Sequence, residues 1–101
     1  MKSISAGELA RRLSDEDTPF LLDVRDPEEL ADGVIAGSVN IPMDEVEQRL
    51  GELPAGRDLV VICHLGFRSA RVARRLGALG YDRVMNLRGG MEAWLRESSR
   101  P

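Results

Sequence analysis

The segment Leu59–Cys63, LVVIC, constrains the fold more than any other part of the chain. It is unbroken and apolar, with β-branched Val60, Val61 and Ile62 in a row, so it has no polar side to turn toward water. The turn PAGRD, Pro54 to Asp58, bounds it on one side and a glycine-containing loop on the other. A short run of this kind is a strand covered on both faces, which calls for a parallel sheet with helices above and below it. The rest of the chain alternates accordingly. Strands are expected at Phe20 to Val24, Val39 to Ile41 and Arg83 to Leu87. A first helix is expected from Ala6 to Leu13, with Ser5 and Glu8 as a capping box and Ile4 stapled to Leu9. A short helix starts with Asp26 as N-cap, Pro27 at its first position and Glu29 at its third. Another follows Pro42 and turns Val46 and Leu50 inward. A longer helix spans Arg68 to Leu79, with Val72, Leu76 and Leu79 as its inner stripe and Gly80 as its cap. After Gly89 and Gly90 comes a final helix with Met91, Trp94 and Leu95 on one face. The reading is an α/β chain built around a parallel sheet.

A length of 101 residues fits one domain, 1–101. The net charge of −3 comes with no basic tail, which argues against nucleic acid as a partner. The start, MKSISAGELARRL, lacks the apolar stretch of a signal peptide, and no apolar run is long enough to span a membrane. The expected location is the cytoplasm. The single cysteine cannot form an internal disulfide. One Cys and one His, adjacent in sequence, fall short of a metal site, and no cofactor is expected.

The chemistry points to CHLGFRS, Cys63 to Ser69, between the end of the apolar strand and the start of a helix. Ligands of open α/β sheets bind outside the carboxyl ends of their strands. A helix N-terminus there offers free N–H groups and a dipole that favour an anion, including an anionic sulfur. Gly66 lets successive amides turn inward as a nest. Arg68 adds a cation whose fork suits an oxyanion. Taken alone, a cysteine at a strand end is more often a small buried hydrophobe. Gly66 and Arg68 at this spacing favour the functional reading.

This loop resembles the rhodanese family's pattern of Cys, two residues, Gly, one residue, Arg and a small residue. Upstream, DVRDPEELADGVIAGSVNIP, Asp23 to Pro42, resembles another signature of that family. Downstream, GYDRVMNLRGGMEAW, Gly80 to Trp94, resembles its closing segment. The resemblance implies a three-layer α/β/α fold with a five-stranded parallel sheet. It also implies transfer of sulfane sulfur through a cysteine persulfide. Cys63 matches the persulfide cysteine and Arg68 the loop arginine. The amides of His64, Leu65, Gly66, Phe67, Arg68 and Ser69 match the anion cradle. Asp23 and Arg25 match the signature's DVR. Arg25 and Glu29 are read as an ion pair that supports the site, and Asn40 as a backbone-bonding residue. The implied partners are a small sulfur-donor anion, with thiosulfate or a persulfide as candidates, and an external thiol or protein cysteine as acceptor. Cyanide would serve as acceptor in an assay.

The chain departs from the family with Val34 for the usual His, Ala36 for Pro and Ser38 for Ala. A thiolate needs no general base to attack sulfur, so the expected effect is on loop rigidity. His64 either turns to solvent, the simpler reading, or adds positive charge near the sulfur. Arg68, Arg71 and Arg75 share a helical face, with Arg74 beside it, and read as a solvated surface. Phe67 would lie on the rim of the site, and Trp94 reads as core packing. Two other readings stand beside sulfur transfer. In a phosphatase or arsenate reductase of related fold, the loop between cysteine and arginine is one residue longer. A protein-docking sulfur carrier or interaction module would show little turnover of small donors.

Overall fold

The computed structural model describes residues 1–100; Pro101, the last residue of the expected domain, lies outside the described residues. Five parallel strands form one sheet in the order β1-β5-β4-β2-β3. They are β1 (Lys2–Ile4), β2 (Phe20–Asp23), β3 (Val39–Asn40), β4 (Leu59–Ile62) and β5 (Val84–Leu87). Three α-helices accompany them: α1 (Ala6–Ser14), α2 (Phe67–Ala78) and α3 (Gly90–Ser98). Two stretches of 3₁₀ helix, Pro27–Asp32 and Met43–Glu52, complete the crossovers.

The apolar run is the middle of the sheet, as its composition requires. β4 lies between β2 and β5 and is buried along its whole length. Its side chains alternate between two cores. Leu59, Val61 and Cys63 join Leu22, Val46, Val72 and Leu76 on one face. Val60 and Ile62 join Leu9, Ile35, Leu87 and Met91 on the other. Trp94 packs half-buried at the margin of this second core, in agreement with its reading as a packing residue.

Local signals explain several boundaries. Ser5 Oγ accepts from the Glu8 amide at 3.1 Å and Glu8 Oε1 accepts from the Ser5 amide at 2.9 Å, so the capping box opens α1 as expected. The segments after Asp26 and Pro42 are 3₁₀ rather than α, and the second is broken by Arg49 at φ −122°. The inner stripe of α2 is corrected at Leu79, and of the shared face Met91, Trp94 and Leu95 only the first two pack inward. Leu79 and Leu95 are exposed, and Ala73 joins Val72 and Leu76 on the buried face of α2. Leu79 lies beyond the last turn of α2, where the helical period no longer aims it at the sheet. β1 was not anticipated. It is a three-residue edge strand with Lys2 and Ser3 exposed, too short and too polar to show a period.

Candidate active site

The loop after β4 is shaped by what happens to its carbonyls. The amide of Met91 donates to the Cys63 carbonyl at 2.8 Å, and the amide of Glu92 to the His64 carbonyl at 3.0 Å. Both donors belong to the first turn of α3, whose N–H groups lack partners within the helix. With those carbonyls drawn toward α3, later amides of the loop turn the other way. Gly66 makes this turn at φ +101°, a conformation open to glycine, and it caps α2.

The inward amides converge on sulfur. Gly66 N–H donates to Cys63 Sγ at 3.1 Å and Ser69 N–H at 3.3 Å. Ser69 Oγ lies 3.2 Å from the same sulfur. Its hydroxyl donates to Asn86 Oδ1, while Asn86 Nδ2 donates to the Gly66 carbonyl at 3.2 Å. Cys63, Ser69 and Asn86 are all buried. The expected cradle ran from His64 to Ser69. Among the described residues, the amides bonded to the sulfur are those of Gly66 and Ser69. His64, Leu65 and Phe67 turn their side chains outward, and Phe67, 76% exposed, forms part of the rim.

Asn86 is the supporting residue that sequence reading missed. Its signal was a lone polar side chain inside the strand VMNL, where nothing local shows that its partners lie in another loop.

The charged residues are paired differently from expectation. Arg25 does not form a side-chain ion pair with Glu29. Its guanidinium closes on Asp23, with Nε to Oδ1 at 3.0 Å and Nη2 to Oδ2 at 2.8 Å. It then donates to the backbone carbonyls of Glu29 and Gly33. Asp23, at the end of β2, is fixed by the strand, whereas Glu29 sits on a short 3₁₀ segment whose carboxylate points elsewhere. Asn40 donates from Nδ2 to the carbonyls of Asp23 and Arg25, both at 2.9 Å, which agrees with its backbone-bonding reading.

Arg25 and Asp23 are 2% and 1% exposed. Removing one charge of such a pair strands the other in a dry interior. Asp23→Asn should therefore lower stability by about 3 kcal/mol in a denaturant titration, although the two side chains are nearly the same size.

Glu29 turns instead to Arg68. The two carboxylate oxygens accept from Nη2 at 2.7 Å and Nη1 at 2.8 Å, so the fork expected to face a substrate is closed on a carboxylate. The Asp26 amide also donates to Glu29 at 2.8 Å. The Arg68 hydrogen bonds, reinforced by that amide and opposed by partial burial, hold the Glu29 carboxyl at about 2, below its usual value of 4.5. A lowered folded-state pKa stabilises above the unfolded value and is lost as pH falls through the folded one. After discounting for solvent screening of a pair about one-third exposed, the contribution is about 1 kcal/mol. The stability difference between wild type and Glu29→Gln should be constant above pH 4.5 and shrink between pH 4.5 and 2.

Beside the loop lies an open cleft of about 600 Å³. His64 borders it from the loop, Glu29 and Asp32 from the 3₁₀ segment, and Glu92, Leu95 and Arg96 from α3. Among the described residues, no group of three or more His, Cys, Asp or Glu side chains is arranged to hold a metal ion. No helix there is long and apolar enough to cross a membrane.

A parallel α/β sheet with a cysteine at the end of its central strand, under amides at a helix N-terminus, defines a class of anion-loop proteins. Within that class the chain belongs to the rhodanese family: the rhodanese-like domain model matches residues 5–97. A sulfurtransferase of Allochromatium vinosum is 40% identical over 96 residues, which cover 95% of this chain and 90% of that protein. The human thiosulfate:glutathione sulfurtransferase is 33% identical over 93 residues, covering 78% of this chain and 81% of that protein. The crystal structure of a rhodanese-related protein from Thermoplasma volcanium superposes with a TM-score of 0.87 at 35% identity, covering 100% of this chain and 96% of that one.

Proposed function

We propose that this chain is a sulfurtransferase that carries sulfur as a persulfide on Cys63. The observation that supports this most directly is the convergence of the Gly66 and Ser69 amides on Sγ. Donors held there suit an anionic sulfur and, after reaction, an anionic persulfide. The Cys63 thiolate attacks the outer sulfur of a sulfane donor. For thiosulfate, the bond between the two sulfurs breaks and sulfite leaves with the electron pair. An acceptor thiolate then attacks the terminal sulfur, forms its own persulfide and restores the Cys63 thiolate. Cys63 is the only cysteine of these 101 residues, so no second thiol among them can serve as that acceptor. Names of relatives, among them a thiosulfate:glutathione sulfurtransferase, support both a small donor and a thiol acceptor.

Intact-mass spectrometry tests the reading. Reduced protein treated with thiosulfate or another sulfane donor should gain the mass of one sulfur atom and lose it again to cyanide or a thiol. Protein that gains no sulfur from any such donor would exclude the proposal.

The exposed Phe67 and Leu65 on the loop favour a second reading, a relay that hands sulfur to a partner protein. Slow turnover of small donors with quick transfer to a protein thiol would single it out.

A further inference from the structure

The cation that an anionic donor would be expected to use is already engaged. Both arms of Arg68 are bonded to Glu29, and neither residue is more than about a third exposed. The other arginines around the cleft are engaged as well. Arg25 is closed on Asp23, Arg96 on Glu92 at 3.1 Å and Arg100 on Glu97 at 3.4 Å. Among the described residues Asp26, Glu28 and Asp32 have no ion-pair partner, and Asp26 adds its negative charge near Arg68. The arginines that border the cleft are therefore each closed on a carboxylate, with unpaired carboxylates beside them, and the exposed Arg71, one turn along α2 from Arg68, is the nearest cation of that helix without an ion pair among the described residues.

That charge pattern discriminates between donors of different charge. A dianion must approach the Glu29 carboxylate or displace it from Arg68. The second course leaves a partly buried carboxylate without its cation. A monoanion meets half the repulsion and can rest its sulfur on the loop amides without opening the pair.

We propose that Glu29 is a specificity-determining residue, which by neutralising Arg68 makes this site favour monoanionic sulfane donors over dianionic thiosulfate. Organic thiosulfonates and persulfides are the donor classes that meet this requirement. The inference rests on the sulfurtransferase reading above. With methanethiosulfonate the Cys63 thiolate forms a bond to the outer sulfur, the bond between the donor's sulfurs breaks, and methanesulfinate leaves with the pair. The product on Cys63 is the same persulfide anion that thiosulfate gives, so the donors differ in charge and leaving group but not in product.

Steady-state kinetics with the two donors and cyanide as common acceptor test the proposal. Wild type should show the higher kcat/KM with methanethiosulfonate. Glu29→Gln should raise kcat/KM for thiosulfate about tenfold, through KM, and change that for methanethiosulfonate less than about threefold. Adding Arg68→Ala to that variant should remove the gain. Wild type supplies a measurement that does not depend on any variant folding. Its kcat/KM for thiosulfate should stay level or rise with ionic strength, whereas an open Arg68 would make it fall. A fall with salt in wild type, or an equal loss with both donors in Glu29→Gln, overturns the proposal. If both donors load Cys63 and the variant leaves their ratio unmoved, the sulfurtransferase reading stands and this one falls. If neither donor loads Cys63, both fall.

Discussion

Replacing Cys63 with Ser should abolish the gain of sulfur mass and lower sulfur transfer by at least about a thousandfold, with the fold intact. The substitution is nearly isosteric. A hydroxyl can take the place of Sγ beside the Gly66 and Ser69 amides and Ser69 Oγ, so the loop keeps its shape. What disappears is a soft nucleophile that is readily anionic and forms a bond to sulfur that a later thiolate can break. Oxygen at this position offers neither property. The paired measurements are intact mass after donor treatment and a thermal melt. A Cys63→Ser protein that melts like wild type and still gains one sulfur atom would place the carrier elsewhere. The melt separates this outcome from unfolding.

Gly90→Ala should have the largest effect of any glycine-to-alanine change in this chain. A Cβ there would lie 2.5 Å from both the Cys63 and His64 carbonyl oxygens, on a residue with φ +59°. Neither oxygen can retreat easily, because each accepts from an amide of α3. The variant must either move α3 away or turn the loop, and both disturb the donors around Sγ. The expected loss is about 3 kcal/mol or more, the range of overpacking combined with left-handed strain. Gly37→Ala is the control. Its φ is +85°, yet nothing lies within 4 Å of the added Cβ. That change should cost about 1–2 kcal/mol from the backbone alone and leave sulfur loading unaffected. Denaturant titration of the two variants, with intact-mass loading of each, separates steric conflict at the loop from a general penalty for losing glycine.

Much of the fold was legible because its signals are local. The run Leu59–Cys63 could be satisfied only by a strand covered on both faces, and β4 is that strand. The capping box of Ser5 and Glu8 lies within one turn and sets the start of α1. The loop from Cys63 to Ser69 was legible for the same reason, since the glycine that turns it and the helix that receives it are contiguous with the cysteine. The partners of charged groups were not. Arg25 and Glu29 lie at a spacing that invites a pair, but the choice among carboxylates depends on which one a strand or a crossover holds in reach. Asp23 is held beside Arg25, and Glu29 meets Arg68 from 39 residues away. The hydrogen bonds from Asn86 to the loop depend likewise on β5 lying next to β4. β1 escaped notice because its pairing with β5 joins opposite ends of the chain.

The grip of α3 on the Cys63 and His64 carbonyls also sets an order of events in biosynthesis. β4 and its cysteine leave the ribosome before α3 does, so for a time the nascent chain carries Cys63 on a loop whose first two carbonyls are unheld. The two bonds that hold the carbonyls of this loop form only when α3 has emerged and docked. A chain arrested before residue 90 would hold the cysteine without the two amides that fix its loop and without the α3 wall of the cleft.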